Sequence, residues 1–206
     1  MTNKATAQSI LEQDEVLRRD DPRWIRLHNI IDERSLGIGD YILSSGKPSK
    51  YHFELRKTTM LGEGMSLIAQ VVLEYMRRNG LRCIGGKVQG AIPIATAVCF
   101  QGELEGYPIQ AFFVRGEEKS HGRRELVDGY VSDKDDILLV DDVATSGGSI
   151  LDAVKGLHKA YPGTTPRHAL VVVDREQGAP ATLAAKGIQL VSFFKRHDFP
   201  RIPADA

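Results

Sequence analysis

"ILLVDDVATSGGSI", residues 137–150, is the stretch whose reading decides the fold. Four apolar residues run directly into two adjacent acids, Asp141 and Asp142, and then into a turn of small and hydroxylated residues ending at Ser149. A short, uninterrupted apolar run of this kind reads as a strand buried on both faces. The following "GSILDAVKGLHKAY" spaces Ile150, Leu151, Val154 and Leu157 along one side of a helix. The expectation is therefore strand, turn, helix, with Asp141 and Asp142 at the carboxyl end of the strand. In open α/β sheets that end is where ligands gather.

The turn itself suits an anion. A helix N-terminus offers unpaired backbone N–H groups and the positive end of its dipole to a phosphate. Gly147 and Gly148 allow a ligand to approach the backbone closely, and Thr145, Ser146 and Ser149 can donate hydroxyl hydrogen bonds. Two carboxylates beside such a cradle look contradictory unless the ligand also carries hydroxyls or a metal. A phosphorylated sugar meets that condition. A purely structural alternative, Asp142 ending the strand and Ser149 capping the helix, explains two residues but not the order of parts. The chain has no GxxxxGK[ST] motif, and no GxGxxG follows an expected strand.

Outward from this stretch the chain alternates strands and helices. Ahead of it lie the strand candidates "CIGG" and "IQAFFV", separated by a loop and helix, "QGAIPIATAVCF", with Pro93 near its first turn. Beyond it come "ALVVV", a short helix at "APATLAAKG", and "IQLVSFF". Continuous apolar runs separated by helices predict an α/β fold with a central, mostly parallel sheet flanked by helices and joined by right-handed crossovers. Nearer the start, "WIRLHNIIDERSL" reads as an amphipathic helix, and β-rich pieces flank the turn "SSGKPS". A further helix runs from Gly64 to a stop at Asn79-Gly80. Residues 1–24 read as a polar N-terminal extension and 25–206 as one domain.

Composition narrows the class. Lys plus Arg and Asp plus Glu both number 27, so the formal charge balances and gives no support to a nucleic-acid or membrane-surface role. The two cysteines, Cys83 and Cys99, stand in no CxxC or Cys/His cluster, which argues for buried thiols in a reducing cytoplasm. No apolar run reaches membrane-spanning length.

The order of apolar strand, Asp-Asp and Thr-Ser-Gly-Gly-Ser closely resembles the phosphoribosyl-pyrophosphate motif of type I phosphoribosyltransferases. Four further segments are similar to the orotate phosphoribosyltransferase family within that group: "LSSGKPSKYHFELRKTTM", "GGKVQGAIPIATAV", "FFVRGEEKSHG" and "VVVDREQG". They occur in the family's order and, with the motif, span most of residues 28–200. The resemblance implies the type I phosphoribosyltransferase fold, with a small hood built from the N-terminal region. It also implies transfer of a phosphoribosyl group to orotate in pyrimidine biosynthesis.

Site residues follow from the same resemblance. Asp141 and Asp142 would hold the ribose hydroxyls. Val143 would lead into the segment from Ala144 through Thr145, Ser146, Gly147, Gly148 and Ser149 that wraps the 5-phosphate. Arg115, Lys119 and His121 would act on the pyrophosphate from a loop shared with a neighbouring subunit, so a homodimer is implied. Arg175 would pair with the orotate carboxylate, His52 and Phe53 would line the pyrimidine pocket, and Lys47 would add a basic contact. Magnesium would be held mainly by substrate and water rather than by protein ligands. Two features stand out: the loop reads Arg115-Gly116 where a lysine usually follows the arginine, and "VQGAIP" offers Gln89 and Gly90 where some members carry a lysine before the Gly-Ile-Pro turn, a pattern similar to that of other members. Gly116 and the unassigned N-terminal arm leave open a non-catalytic, phosphoribosyl-pyrophosphate-binding regulator. A transferase for another nucleobase is the other alternative, and Arg175 speaks against it.

Overall fold

The computed structural model of the chain describes residues 16–42, 46, 48–116 and 126–204. The first helix, α1 (Pro22–Arg34), begins where the Asp21 carboxylate accepts the Arg23 backbone N–H at 2.8 Å and Pro22 opens the first turn. A cap of this type contributes about 1 kcal/mol. Ahead of it, Val16 and Leu17 are already buried in the core. After α1 comes a hairpin of β1 (Leu36–Ile42) and β2 (Pro48–Phe53), which pair antiparallel in a sheet of their own. This hairpin is the expected hood. A short helix, α2 (Arg56–Thr59), leads to α3 (Gly62–Arg78), whose apolar stripe includes Ile68, Val72 and Met76.

The remaining elements build the main layer: β3 (Cys83–Lys87), α4 (Ala91–Leu104), β4 (Gln110–Val114), β5 (Val127–Gly129), β6 (Ile137–Ala144), α5 (Gly148–Ala160), β7 (His168–Asp174), α6 (Ala179–Ala184) and β8 (Gln189–Lys195). Six strands lie in the order β5-β4-β3-β6-β7-β8. All neighbours run parallel except β5, which pairs antiparallel with β4. Side chains alternate between two cores, as the strand period requires. Leu138 and Val140 pack with α1, α3 and α4 on one face, while Ile137 and Leu139 meet Ile150, Ala153 and Leu157 of α5 on the other.

The mostly parallel sheet matches the sequence expectation, with two differences. Strand β6 does not stop before the acids. It continues through Asp141 and Asp142 to Ala144 because β7 keeps pairing with it, as far as Ala144 opposite Asp174. On its other side, β6 pairs with β3 only as far as Leu139 opposite Gly85. The second difference is β5, a three-residue strand that the sequence reading did not anticipate.

From β3 the chain winds outward to β4, and from β6 it winds the opposite way to β7 and β8. The order thus reverses between β3 and β6, the place where α/β sheets open a ligand crevice at their carboxyl edge.

Candidate active site

A cleft of about 900 Å³ opens at that reversal point. Three parts of the main layer line it: Lys87 to Gly90 after β3, the segment from Asp141 to Ser149, and Arg175 after β7. The hood contributes Ser49, Tyr51, His52 and Phe53 from β2.

Asp141 is 8% exposed, and its carboxylate accepts the Asp142 backbone N–H at 3.0 Å. The Asp142 carboxylate accepts the Val143 N–H at 2.8 Å. Burial, and then the neighbouring Asp142 charge, pushes the Asp141 carboxyl far above the usual carboxylate range. Burial also raises Asp142, with the Val143 N–H opposing it. Such a pair keeps a proton more readily than free carboxylates do, so it can donate to one hydroxyl of a diol while accepting from another. A methyl group at Gly90 would lie 2.0 Å from Asp141 Oδ1 and 2.7 Å from Asp142 Oδ1. The space a side chain would need at position 90 is filled by the two acids.

In the turn, Gly147 adopts a left-handed backbone with φ of 84°, and a Cβ there would meet Leu183 at 3.2 Å. Glycine is required on both counts. Thr145, Ser146 and Ser149 line the cleft, as does Val143. Ala144 and Gly147 are buried, and Gly148 is exposed at the first position of α5. Geometry leaves the first-turn N–H groups of α5 without intrahelical acceptors, so they can receive an anion.

Arg175 is 4% exposed. Its Nε donates to the Tyr51 hydroxyl at 3.1 Å, an Nη donates to Ser49 Oγ at 3.1 Å, and the guanidinium stacks 4.3 Å from the Tyr51 ring. Its described side-chain partners are all neutral groups. A buried cation held only by neutral oxygens, facing a cleft, is set to receive an anionic ligand group.

The cleft gathers twelve of the residues picked out by sequence: His52, Phe53, Asp141, Asp142, Val143, Thr145, Ser146, Ser149 and Arg175 line it, while Ala144, Gly147 and Gly148 lie in the same turn. Arg115 is not among the lining residues. Its guanidinium pairs instead with Asp128 of β5. Lys47, Lys119 and His121 lie outside the described residues. Sequence reasoning missed Arg56, Lys87, Ser49 and Tyr51, all of which line the cleft. Arg56 donates to Glu54 at 2.8 Å and to Gln89 at 2.9 Å. For Lys87 a usable signal existed, since a charged residue at the carboxyl end of a parallel strand faces the ligand edge.

No family model matches the chain. An orotate phosphoribosyltransferase of Bradyrhizobium sp. (strain BTAi1 / ATCC BAA-1182) is 38% identical over 178 residues, covering 84% of this chain and 95% of that protein. This chain belongs to the orotate phosphoribosyltransferase family. Solved structures of the family agree with the fold. The orotate phosphoribosyltransferase of Mycobacterium tuberculosis H37Rv in complex with Fe(III) dicitrate is similar with a TM-score of 0.75 at 30% identity, over 87% of this chain and 99% of that one. The same enzyme in complex with phosphoribosyl pyrophosphate gives a TM-score of 0.71 at 28% identity, over 86% of this chain and 99% of that one. The family resemblance drawn from five sequence segments is thereby borne out, and with it the type I phosphoribosyltransferase fold.

Proposed function

We propose that this cleft transfers the phosphoribosyl group of phosphoribosyl pyrophosphate to orotate, releasing pyrophosphate and forming orotidine 5'-monophosphate in pyrimidine biosynthesis. The observation that carries the reading is Arg175. Its buried guanidinium opens into the same cleft as the doubled acid and the glycine-serine turn. One pocket thus provides for a carboxylated base and a phosphorylated sugar together. An acceptor lacking a carboxylate leaves that cation uncompensated.

In this assignment Asp141 and Asp142 grip the ribose hydroxyls, and the turn from Ala144 to Ser149 takes the 5-phosphate. The bond from the anomeric carbon to the diphosphate oxygen breaks, and its electron pair leaves with pyrophosphate. The ring nitrogen of orotate then forms the new bond to the oxocarbenium-like carbon, and its proton passes to the released pyrophosphate. Arg175 fixes the base by its carboxylate, a planar, charge-assisted contact. His52 and Phe53 wall the pyrimidine, and Lys47 adds a basic contact. Lys119 and His121, from the loop shared between subunits, supply charge to the departing pyrophosphate, where preformed charge stabilises the transition state.

Magnesium, when bound, supplies positive charge to the diphosphate leaving group. Among the described residues no cluster of three His, Cys, Asp or Glu side chains could hold a metal. Two cleft carboxylates with little other protein ligation fit a cation whose remaining ligands are substrate oxygens and water. The functional unit is a homodimer in which the charged loop reaches a neighbouring cleft. Support comes from Arg115, which is turned to Asp128 rather than lining its own cleft. Phe100 and Leu104, each 67% exposed and one turn apart on α4, offer apolar surface for association. Among the described residues no helix is long and apolar enough to cross a membrane.

The test is a base panel. Purified protein with phosphoribosyl pyrophosphate and magnesium should consume orotate, followed by its absorbance, and should leave uracil and adenine untouched. Consumption of uracil in preference to orotate would overturn the assignment of Arg175. Binding of phosphoribosyl pyrophosphate with no turnover of any base would leave the regulator in its place.

A further inference from the structure

Lys87 ends β3 at the point where the sheet order reverses, above four consecutive buried residues, Cys83 to Gly86. Its ammonium lies 2.8 Å from the Asp152 carboxylate on α5. Lys87 therefore spans the gap between β3 and the helix whose first turn forms the anion cradle. It lines the cleft together with Ser146 and Ser149. Lys155 reaches the same carboxylate at 3.3 Å from outside, with its side chain 77% exposed. Asp152 holds its charge below the usual carboxylate range, chiefly through Lys87. An ionised acid one turn into α5 repels a phosphate dianion at that helix's start unless a cation stands between them.

The described lysines and arginines of the cleft are Arg56, Lys87 and Arg175. Arg56 is paired with Glu54, and Arg175 is set against the hood by Tyr51 and Ser49. Lys87 is the cation on the phosphate side. An exposed ion pair with Asp152 alone would stabilise the fold very little. We propose that Lys87 leaves Asp152 and binds a phosphate group of phosphoribosyl pyrophosphate, supplying positive charge to the cleft from β3. The proposal rests on reading the cleft as the sugar-phosphate site.

Calorimetry with phosphoribosyl pyrophosphate, ribose 5-phosphate and inorganic pyrophosphate, each on the magnesium-supplemented full chain, tests it. Lys87→Met should weaken phosphoribosyl pyrophosphate binding by roughly tenfold or more, the value of one charge-assisted contact. Lys87→Arg should restore most of that loss. Asp152→Asn, which frees the lysine, should bind as tightly as the native chain or more tightly, and Lys155→Met should leave binding unchanged. A loss repeated with ribose 5-phosphate places the lysine on the ester phosphate, and one repeated with pyrophosphate places it on the diphosphate. Native-like binding by Lys87→Met would overturn the proposal. So would equal losses of binding and melting temperature in Lys87→Met and Asp152→Asn, because the pair would then be structural. If the native chain bound none of the three ligands, the cleft reading itself would fall, a distinct result.

Discussion

Replacing Arg175 by methionine should separate binding of the base from binding of the sugar phosphate. Arg175 is 4% exposed and the described hydrogen bonds of its guanidinium go to Tyr51 and Ser49, so it brings an uncompensated charge into the fold. Methionine removes that desolvation cost but also removes two hydrogen bonds to neutral oxygens, each worth about 1 kcal/mol. The opposing contributions should leave stability within about 1–2 kcal/mol of native. Binding should change far more. Two parallel charge-assisted bonds to a carboxylate should contribute roughly 3 kcal/mol in a desolvated pocket, or about a 150-fold change in affinity. Steady-state kinetics should therefore show KM for orotate raised by about two orders of magnitude, with KM for phosphoribosyl pyrophosphate within about threefold of native. The preference for orotate over uracil should shrink by the same factor. Arg175→Lys, which keeps the charge without the planar fork, should fall between. A folded Arg175→Met protein with native KM for orotate and an intact preference over uracil would refute the assignment.

The same geometry yields three further expectations. Asp141 has its carboxyl raised by burial and by Asp142, so between the unfolded value of about 3.9 and the raised folded value the native state binds the extra proton, and stability falls as pH climbs through that window. Asp141→Asn should accordingly raise the melting temperature of the ligand-free protein at neutral pH, do little near pH 4, and weaken phosphoribosyl pyrophosphate binding. A greater loss of stability at neutral pH than at acid pH would contradict this. Gly116→Lys restores the usual loop cation at a position where an added Cβ meets nothing within 4 Å among the described residues, and kcat should rise without loss of melting temperature. Lys119→Ala should lower kcat by roughly a hundred- to a thousand-fold while leaving substrate affinity nearly unchanged. Near-native kcat would remove Lys119 from the mechanism.

Much of this was legible in the chain, for physical reasons that can be named. Runs such as Leu138–Val140 and Leu170–Val173 have nowhere to go but a strand covered on both faces, and all of these residues are buried. Adjacent acids followed by a turn poor in side chains can hardly be core, so Asp141, Asp142 and Thr145–Ser149 were readable without coordinates. The extent of β6 was not, because only its pairing with β7 carries it past the acids. Strand β5 has three residues and is defined by antiparallel pairing with β4, and local periodicity does not encode such pairing. Tyr51 and Arg175 meet across 124 positions, a contact created by the hood folding onto the sheet. The partner of Lys87 was not legible, because Asp152 meets it only once α5 packs beside β3.

The central claim is that the acids and the turn together hold one sugar phosphate. An electron-density map of the chain soaked with phosphoribosyl pyrophosphate and magnesium addresses it directly. The ribose hydroxyls should lie within hydrogen-bond distance of Asp141 and Asp142, with the ester phosphate on the amides and hydroxyls of Thr145 to Ser149. Ligand density elsewhere, with that turn empty and the acids contacting only protein, would contradict it.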